Sequence, residues 1–268
     1  MSSEEAHGNG NGHHNGPTHI NDKHLETAGQ NGGFAGATPL HRAVTPGGHP
    51  QDSTQPAFPI YHRRFANPAP LGLFGFAATT FMLSLFNIGA RGISSPNGII
   101  GMALAYGGTA QFIAGVWEFA CGNTFGATAF CSYGAFWWSF AVTLIPFFGV
   151  SESAASPGGV PSTELDSVLG IYLASWFVFT FIMLVASFRS SVGLVALFFF
   201  LDLTFLLLFI SYLVASGGNA ARASQCETAG GALGIITAAI AWYVGTAGLL
   251  TPDTSFFTLP VISLARND

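Results

Sequence analysis

Six apolar runs follow a polar N-terminal stretch, and each is close to the roughly 20 residues that cross the hydrocarbon core of a bilayer. They predict transmembrane helices near residues 69–89, 99–120, 127–150, 168–188, 192–215 and 230–250. Glu118 and Asp202 are the charged residues within these runs. Short connections favour antiparallel neighbours. The pattern therefore predicts an all-α, polytopic membrane protein with six transmembrane helices in a compact bundle.

The N-terminal stretch, residues 1–66, is rich in Gly, Asn, His, Thr and Pro and shows neither helical nor strand periodicity. Such a composition cannot bury enough apolar surface to fold, so it predicts a disordered cytoplasmic tail. The predicted organisation is this tail, a six-helix transporter domain over residues 67–250, and a short cytoplasmic C-terminal tail over residues 251–268.

Composition excludes several classes of protein. Only 8% of the residues are charged and 50% are hydrophobic, whereas soluble domains carry roughly 25% charged residues. The net charge of −5 provides no basic surface for a nucleic acid. From residue 67 onward the chain has no His, no Gly-x-Ser-x-Gly motif and no phosphate-binding loop, and its cysteines lack metal-ligand spacing. We therefore expect no enzyme activity, no cofactor and no bound metal.

The distribution of basic residues predicts the orientation. With the N-terminus in the cytoplasm, the inner side collects six Lys and Arg residues and the outer side two, namely Lys23, Arg42, Arg63, Arg64, Arg189 and Arg266 against Arg91 and Arg222. Both termini are then expected to be cytoplasmic, in a multi-pass protein of the plasma membrane.

A series of short motifs runs through the apolar part of the chain. They are NPAPLGL at 67–73, YGG at 106–108, GNTFG at 122–126, SYG at 132–134, FW at 136–137, FFFL at 198–201 and AWY at 241–243. In this order they resemble the acetate uptake transporter family of the YaaH/SatP type, and the long polar tail resembles its fungal branch.

The resemblance implies a homo-hexamer in which each protomer carries its own pathway for acetate and related monocarboxylates. It also implies a hydrophobic constriction formed by Phe76, Tyr133 and Leu201. A dry ring of this kind penalises hydrated ions while a small acid passes. From the residues alone, Phe76 and Leu201 would be interpreted as ordinary core or lipid-facing side chains, and only the resemblance singles them out.

Polar residues near the predicted helix ends have two interpretations. Asn67, Asn123 and Thr124 are typical helix caps, and the same helix N-termini also suit a carboxylate at the mouth of a pathway. Glu118, near the end of the second run, either extends to the headgroups or handles protons or gating along the pathway.

Asp202 falls in the middle of the fifth run, directly after Leu201. An acid there costs several kcal/mol unless it is protonated or paired, which makes it a functional candidate, although a neutral packing role is also open. Further candidates for substrate binding are uncharged polar residues within the runs, namely Thr79, Thr80, Asn87 and Gln111.

These observations predict a proton-coupled transporter of acetate and related small monocarboxylates, with protons, lipid and other copies of the chain as partners. No fixed cation lies within the spans, so moving the carboxylate together with a proton avoids a bare charge in a low dielectric. The alternatives are a channel or exporter of ammonium or another small solute, and a non-transporting membrane sensor of acid stress.

Overall fold

The structure, a computed structural model, describes residues 65–93, 95–153, 163–253 and 255–265. Within these ranges the chain forms six long helices: α1 Ala69–Asn87, α2 Pro96–Ala120, α3 Thr124–Leu144, α4 Thr163–Ser187, α5 Val192–Ser216 and α6 Ala220–Leu249. The predicted all-α, multi-helix fold is confirmed. Apart from residues 65 and 66, the predicted N-terminal tail lies outside the described residues.

Helices α1, α2, α4, α5 and α6 are long and apolar enough to cross a membrane. Helix α3 has 21 residues, which at about 1.5 Å per residue also spans the hydrocarbon core. Its hydropathy is lower because Gly, Ser, Thr, Tyr and Trp alternate with its aliphatic residues. Ten residues of α3 are buried, among them Tyr133 and Trp137.

Two helix boundaries differ most from the predicted ones. Helix α6 begins at Ala220, ten residues before the predicted start, because the Asn219 side chain caps it and accepts from the Arg222 amide at 3.1 Å. Helix α3 ends at Leu144, six residues before the predicted end, because Ile145 precedes Pro146 and is extended. Capping and the steric restriction before proline set both ends, whereas hydropathy does not detect them.

Helix α2 contains a wide π-helical turn over Ala105–Ala110, followed by a regular α-helix from Gln111. Such a turn disturbs the ordinary hydrogen-bond ladder. Here the Leu104 carbonyl oxygen accepts from the Thr109 hydroxyl at 2.8 Å and from the Trp138 indole nitrogen of α3 at 3.2 Å. Two hydrogen bonds thus stabilise the distortion, and the regular α-helix resumes at the polar residue Gln111.

Successive helices reverse direction, so α1, α3 and α5 begin at one end of the bundle, where α2, α4 and α6 finish. Cys121 after α2 contacts Ala66 before α1. Gly248 near the end of α6 lies against Pro70 near the start of α1. We call this end the mouth end, and the opposite one the far end. Helix α6 packs against α1 and α5, α4 packs against α5, and α2 packs against α1 and α3. Aromatic and aliphatic side chains fill the interior, among them Phe76, Phe136 and Trp137.

Helices α1 and α2 approach closely at Gly75. A Cβ atom at this position would lie 2.7 Å from the Tyr106 carbonyl oxygen, which belongs to the π-helical turn. Because that neighbour is backbone, it cannot move aside as a flexible side chain would. Glycine at position 75 therefore permits the contact that holds the π-helical turn against α1.

Replacing Gly75 with alanine is expected to lower the thermal midpoint of the purified protein, at a cost of about 1–3 kcal/mol from overpacking. Gly101→Ala is the matched control, because an added Cβ at Gly101 meets no atom within 4 Å and alanine favours a helix. Differential scanning fluorimetry in detergent measures both. A Gly75→Ala midpoint equal to that of Gly101→Ala would contradict the close approach.

Candidate functional site

A cavity of about 300 Å³ lies between α1, α2, α3, α5 and α6 at the mouth end. Most of its wall is apolar, with Leu73, Phe130, Leu197 and Val244 among the side chains that form it. Polar side chains also line it, contributed by Gln111, Asn123, Tyr133 and Ser191. The shape and chemistry suit a small molecule with an apolar part and few polar atoms.

Phe76, Tyr133 and Leu201, the predicted constriction, line this same cavity. All three are buried, and the ring centroids of Phe76 and Tyr133 lie 5.8 Å apart. They come from α1, α3 and α5, so the structure brings together residues separated by 125 positions in the sequence. Their role as a selectivity constriction stays a prediction.

Tyr133 is held firmly in place. Its hydroxyl group shares a hydrogen bond of 2.9 Å with the Thr180 hydroxyl of α4, and its ring contacts Trp176 and Phe179 of the same helix. The hydroxyl group is therefore already paired, and Tyr133 presents chiefly its ring to the cavity.

Gln111 is the fully buried polar group of the cavity wall, with none of its surface exposed. Neither its amide nitrogen nor its amide oxygen has a hydrogen-bond partner among the described residues. A buried amide left unpaired is unfavourable by about 1–3 kcal/mol for each unsatisfied atom. An arrangement of this kind suits a ligand that supplies the missing hydrogen bonds.

Glu118, Asn123 and Gly126 meet where α2 ends and α3 begins. The Asn123 side chain caps α3 by accepting from the Gly126 amide at 3.0 Å, and it lies beside the Glu118 carboxyl group. A Cβ at Gly126 would lie 2.9 Å from the carboxyl carbon of Glu118. Glu118 is only 2% exposed, so it does not extend to the headgroups within this protomer.

The other helix-cap candidates behave differently. Pro68, not Asn67, occupies the cap position of α1, but the Asn67 side chain still accepts from the Ala69 amide at 3.1 Å. Thr124 is the first residue of α3 and is exposed, so of the two candidates there Asn123 is the cap. Asn67 and Asn123 both lie at the mouth end.

Three candidates from α1 lie away from the cavity wall. Thr79 is fully buried and its hydroxyl donates to the Gly75 carbonyl at 2.8 Å, an ordinary helix-internal bond. Thr80 is buried, and its hydroxyl oxygen lacks a partner in the part of the chain that is described. Asn87 ends α1 at the far end and packs against Gly231 of α6.

Asp202 is buried in α5 beside Leu201, yet it does not line the cavity. Its Oδ1 atom has no hydrogen-bond partner within the described ranges. The carboxyl group is close enough to Tyr133 for the two to interact electrostatically. Asp202 therefore lies outside the cavity wall but near Tyr133, and it directly follows Leu201 in the sequence.

Sequence reasoning missed several residues of the wall. Ser191 caps α5 by accepting from the Leu194 amide at 3.2 Å and also lines the cavity. A serine before an apolar run is a recognisable helix start, so this residue had a detectable signal. Val261, from the segment after α6, lines the cavity too, and nothing in the local sequence indicates that. No cluster of potential metal ligands occurs among the described residues.

Together, the helices and the cavity define a multi-pass helical membrane protein with a narrow apolar site between its spans. A family model described as the GPR1/FUN34/yaaH family matches residues 50–266. The chain belongs to this family, which confirms the resemblance seen in the motifs.

Named relatives occur in fungi and bacteria. "Acetate permease A" of Emericella nidulans is 46% identical over 74% of this chain and 66% of its own length. "Ammonia transport outward protein 2" of Saccharomyces cerevisiae is 46% identical over 76% of this chain and 69% of its own. "Succinate-acetate/proton symporter SatP" of Escherichia coli is 37% identical over 74% of this chain and 96% of its own. The match thus spans about two thirds of the fungal relatives' length.

A solved structure also matches the fold. The "Structure of the bacterial acetate channel SatP" is 37% identical in sequence, with a TM-score of 0.60 over 74% of this chain and 99% of that one. The similarity covers the bacterial protein from end to end.

Proposed function

We propose that this protein transports acetate and related small monocarboxylates across the membrane, through the cavity and past Phe76, Tyr133 and Leu201. The observation that carries the proposal is the unpaired, fully buried Gln111 amide in a largely apolar wall that also contains all three predicted constriction residues. The names of the fungal acetate permease and of the bacterial symporter support the same class of substrate.

The chemistry of Gln111 favours the protonated acid. A primary amide offers both N–H donors and a carbonyl acceptor, whereas a carboxylic acid offers an O–H donor and a carbonyl acceptor. The two groups can therefore form a pair of complementary hydrogen bonds, while an ionised carboxylate could use only the amide donors. The short alkyl part of the substrate would then contact Phe76 and Leu201.

The apolar constriction adds a second reason for a neutral cargo. A bare carboxylate taken into surroundings of low dielectric loses far more solvation energy than its conjugate acid. Transport of the acid moves one proton with each carboxylate, so a proton gradient can drive accumulation. The name of the bacterial symporter is in keeping with such coupling.

Asp202 is the proposed group that supplies the proton to the carboxylate near the constriction. In an Asp202→Asn variant we expect uptake of labelled acetate under an inward proton gradient to slow, because the substrate must then enter already protonated. Asp166→Asn, an acid in the first turn of α4, is the control and should keep the wild-type rate. Uptake by Asp202→Asn at the wild-type rate would assign Asp202 to packing.

The mouth end is the proposed cytoplasmic side, as the excess of basic residues there suggests, and the plasma membrane is the proposed location. Asn67, Asn123 and Thr124 lie at that side, where the N-termini of α1 and α3 would attract a carboxylate. Glu118 would hold the Asn123 amide in position. Thr79, Thr80 and Asn87 would line the route between the constriction and the far end.

The proposed assembly is a homo-hexamer with one pathway in each protomer. Large apolar side chains exposed on α4, including Ile171, Phe181 and Ile182, suit lipid or a neighbouring protomer. The proposed domain organisation retains residues 1–66 as a cytoplasmic tail, 67–250 as the transporter domain and 251–268 as a C-terminal segment. No catalysis, cofactor or metal has a role in this mechanism.

The deciding experiment uses the full chain in liposomes. Labelled acetate should enter under an inward proton gradient faster than into empty liposomes, and a protonophore should abolish its accumulation. Acetate uptake equal to that of empty liposomes would contradict the proposal. Parallel measurement of ammonium flux tests the alternative that the name of the yeast relative raises.

A further inference from the structure

The segment after α6 returns across the mouth end of the bundle. Residues 255–265, which we call the strap, pair with the start of α5: the Val192 amide donates to the Ile262 carbonyl at 2.9 Å, and the Leu264 amide donates to the Ser190 carbonyl at 3.0 Å. Ser191 and Ser263 consequently face each other in an isolated antiparallel bridge. The strap is therefore attached to the connection between α4 and α5.

A side-chain hydrogen bond provides another attachment. The Tyr243 hydroxyl of α6 donates to the Pro260 carbonyl oxygen of the strap at 2.8 Å. Val261 lies between the two attached residues Pro260 and Ile262, and it lines the cavity together with Ser191. The strap thus contributes Val261 to a cavity wall that is otherwise formed by the helices and their ends.

The rest of the strap is weakly anchored. Phe256, Phe257 and Ile262 are largely exposed, so these large side chains add little packing against the helices of this protomer. Segments with few buried apolar contacts and exposed backbone hydrogen bonds open locally more readily than packed helices do. The strap therefore combines a place in the cavity wall with the features of a movable element.

We infer that the strap is the gate of the cavity at the mouth end. With the strap docked, Val261 completes the wall beside Ser191; when its bonds to Ser190, Val192 and Tyr243 break, that side of the cavity opens and a small carboxylic acid passes. The gating role rests on the proposed function for its substrate, whereas opening of the cavity can be tested without transport.

A disulfide between positions 191 and 263 tests the gate directly. The two residues form a non-hydrogen-bonded antiparallel pair, whose Cα atoms are about 4.5 Å apart, a separation that a disulfide accommodates. The variant carries Ser191→Cys and Ser263→Cys, with Cys121, Cys131 and Cys226 replaced by alanine. Each cysteine substitution alone, treated with the same oxidant, is the control.

We expect oxidation of the double variant to slow labelled acetate uptake into liposomes at least tenfold, about the effect of removing one of the low-energy openings of a native structure. Dithiothreitol should restore the rate, and the single variants should not respond to oxidant. Equal uptake by the oxidised and reduced double variant would overturn the gate.

A second measurement needs no transport. In the same cysteine-free background, Ala129→Cys places a thiol in the cavity wall, and its reaction with an anionic methanethiosulfonate reports access. Tyr243→Phe removes a strap attachment and should speed the reaction about fivefold, as expected for loss of one hydrogen bond. Tyr172→Phe, which removes a hydroxyl bonded to Ser139, should not.

The two measurements separate the possible failures. Unchanged thiol reactivity in Tyr243→Phe would overturn the gate even if acetate is transported. Faster reactivity in that variant would support the gate even if the reduced protein moved no acetate, a result that would reject the proposed function alone.

Discussion

Replacing Gln111 with leucine is expected to reduce acetate uptake by about tenfold to a hundredfold, because two hydrogen bonds to the substrate, each contributing about 1 kcal/mol, are lost. Leucine is close to glutamine in size, so the wall keeps its shape. The unpaired amide disappears at the same time, and the thermal midpoint of the variant should therefore equal or exceed that of the wild type.

Lower uptake together with an unchanged or higher thermal midpoint distinguishes substrate binding from structural support. If Gln111 served packing, its replacement would lower stability and uptake together. Thr237→Val is the matched control: Thr237 is also fully buried, its hydroxyl is satisfied by the Leu233 carbonyl at 2.9 Å, and it does not line the cavity. Wild-type uptake by Gln111→Leu in liposomes would remove this residue from the pathway.

Gln111 also shows what the sequence can reveal about such a site. An amide within an apolar span stands out against its neighbours, so the sequence alone marks Gln111 as a candidate for substrate binding. What the sequence does not contain is whether the amide is paired. Thr79 was an equal candidate, yet its hydroxyl donates to the Gly75 carbonyl of its own helix. Whether a buried hydroxyl pairs in this way depends on its rotamer and on the approach of α2, and the sequence shows neither.

The constriction illustrates the opposite case. The chain has 26 phenylalanines, and hydropathy treats Phe76 like any other, so only the order of the motifs marked it. The structure places Phe76 against Tyr133, and in the same cavity wall as Leu201, because three helices, α1, α3 and α5, converge on one cavity. Convergence of this kind is a property of tertiary packing, and a periodicity within one helix cannot express it.

The position of the strap was the feature least predictable from the sequence. Periodicity identifies elements that are amphipathic or wholly apolar, whereas residues 255–265 form no helix, and their contact with residues 190–192 joins positions some 70 apart. The early start of α6 is an intermediate case, since Asn219 is a standard cap but Arg222 and Glu227 interrupt the apolar pattern that would have revealed it.

Leu201→Ala is expected to admit acids with longer alkyl chains, because Leu201 is 3% exposed and borders the same cavity as Phe76 and Tyr133. Truncation of a buried leucine leaves space for several carbon atoms and destabilises a protein by about 2–5 kcal/mol where the space stays empty. A butyrate chain can fill part of that space. We therefore expect competition by unlabelled butyrate against labelled acetate to strengthen about tenfold, equivalent to about 1.4 kcal/mol.

The matched control for this prediction is Leu197→Ala. Leu197 is equally buried and lies one helical turn before Leu201 on the same wall, so its truncation removes the same volume from the same cavity but outside the constriction. If selectivity is set at the narrowest point, this variant gains space without gaining longer substrates. An equal gain in both variants would mean that the volume of the whole cavity limits substrate size, and the Phe76, Tyr133 and Leu201 ring would then have no special part in selection.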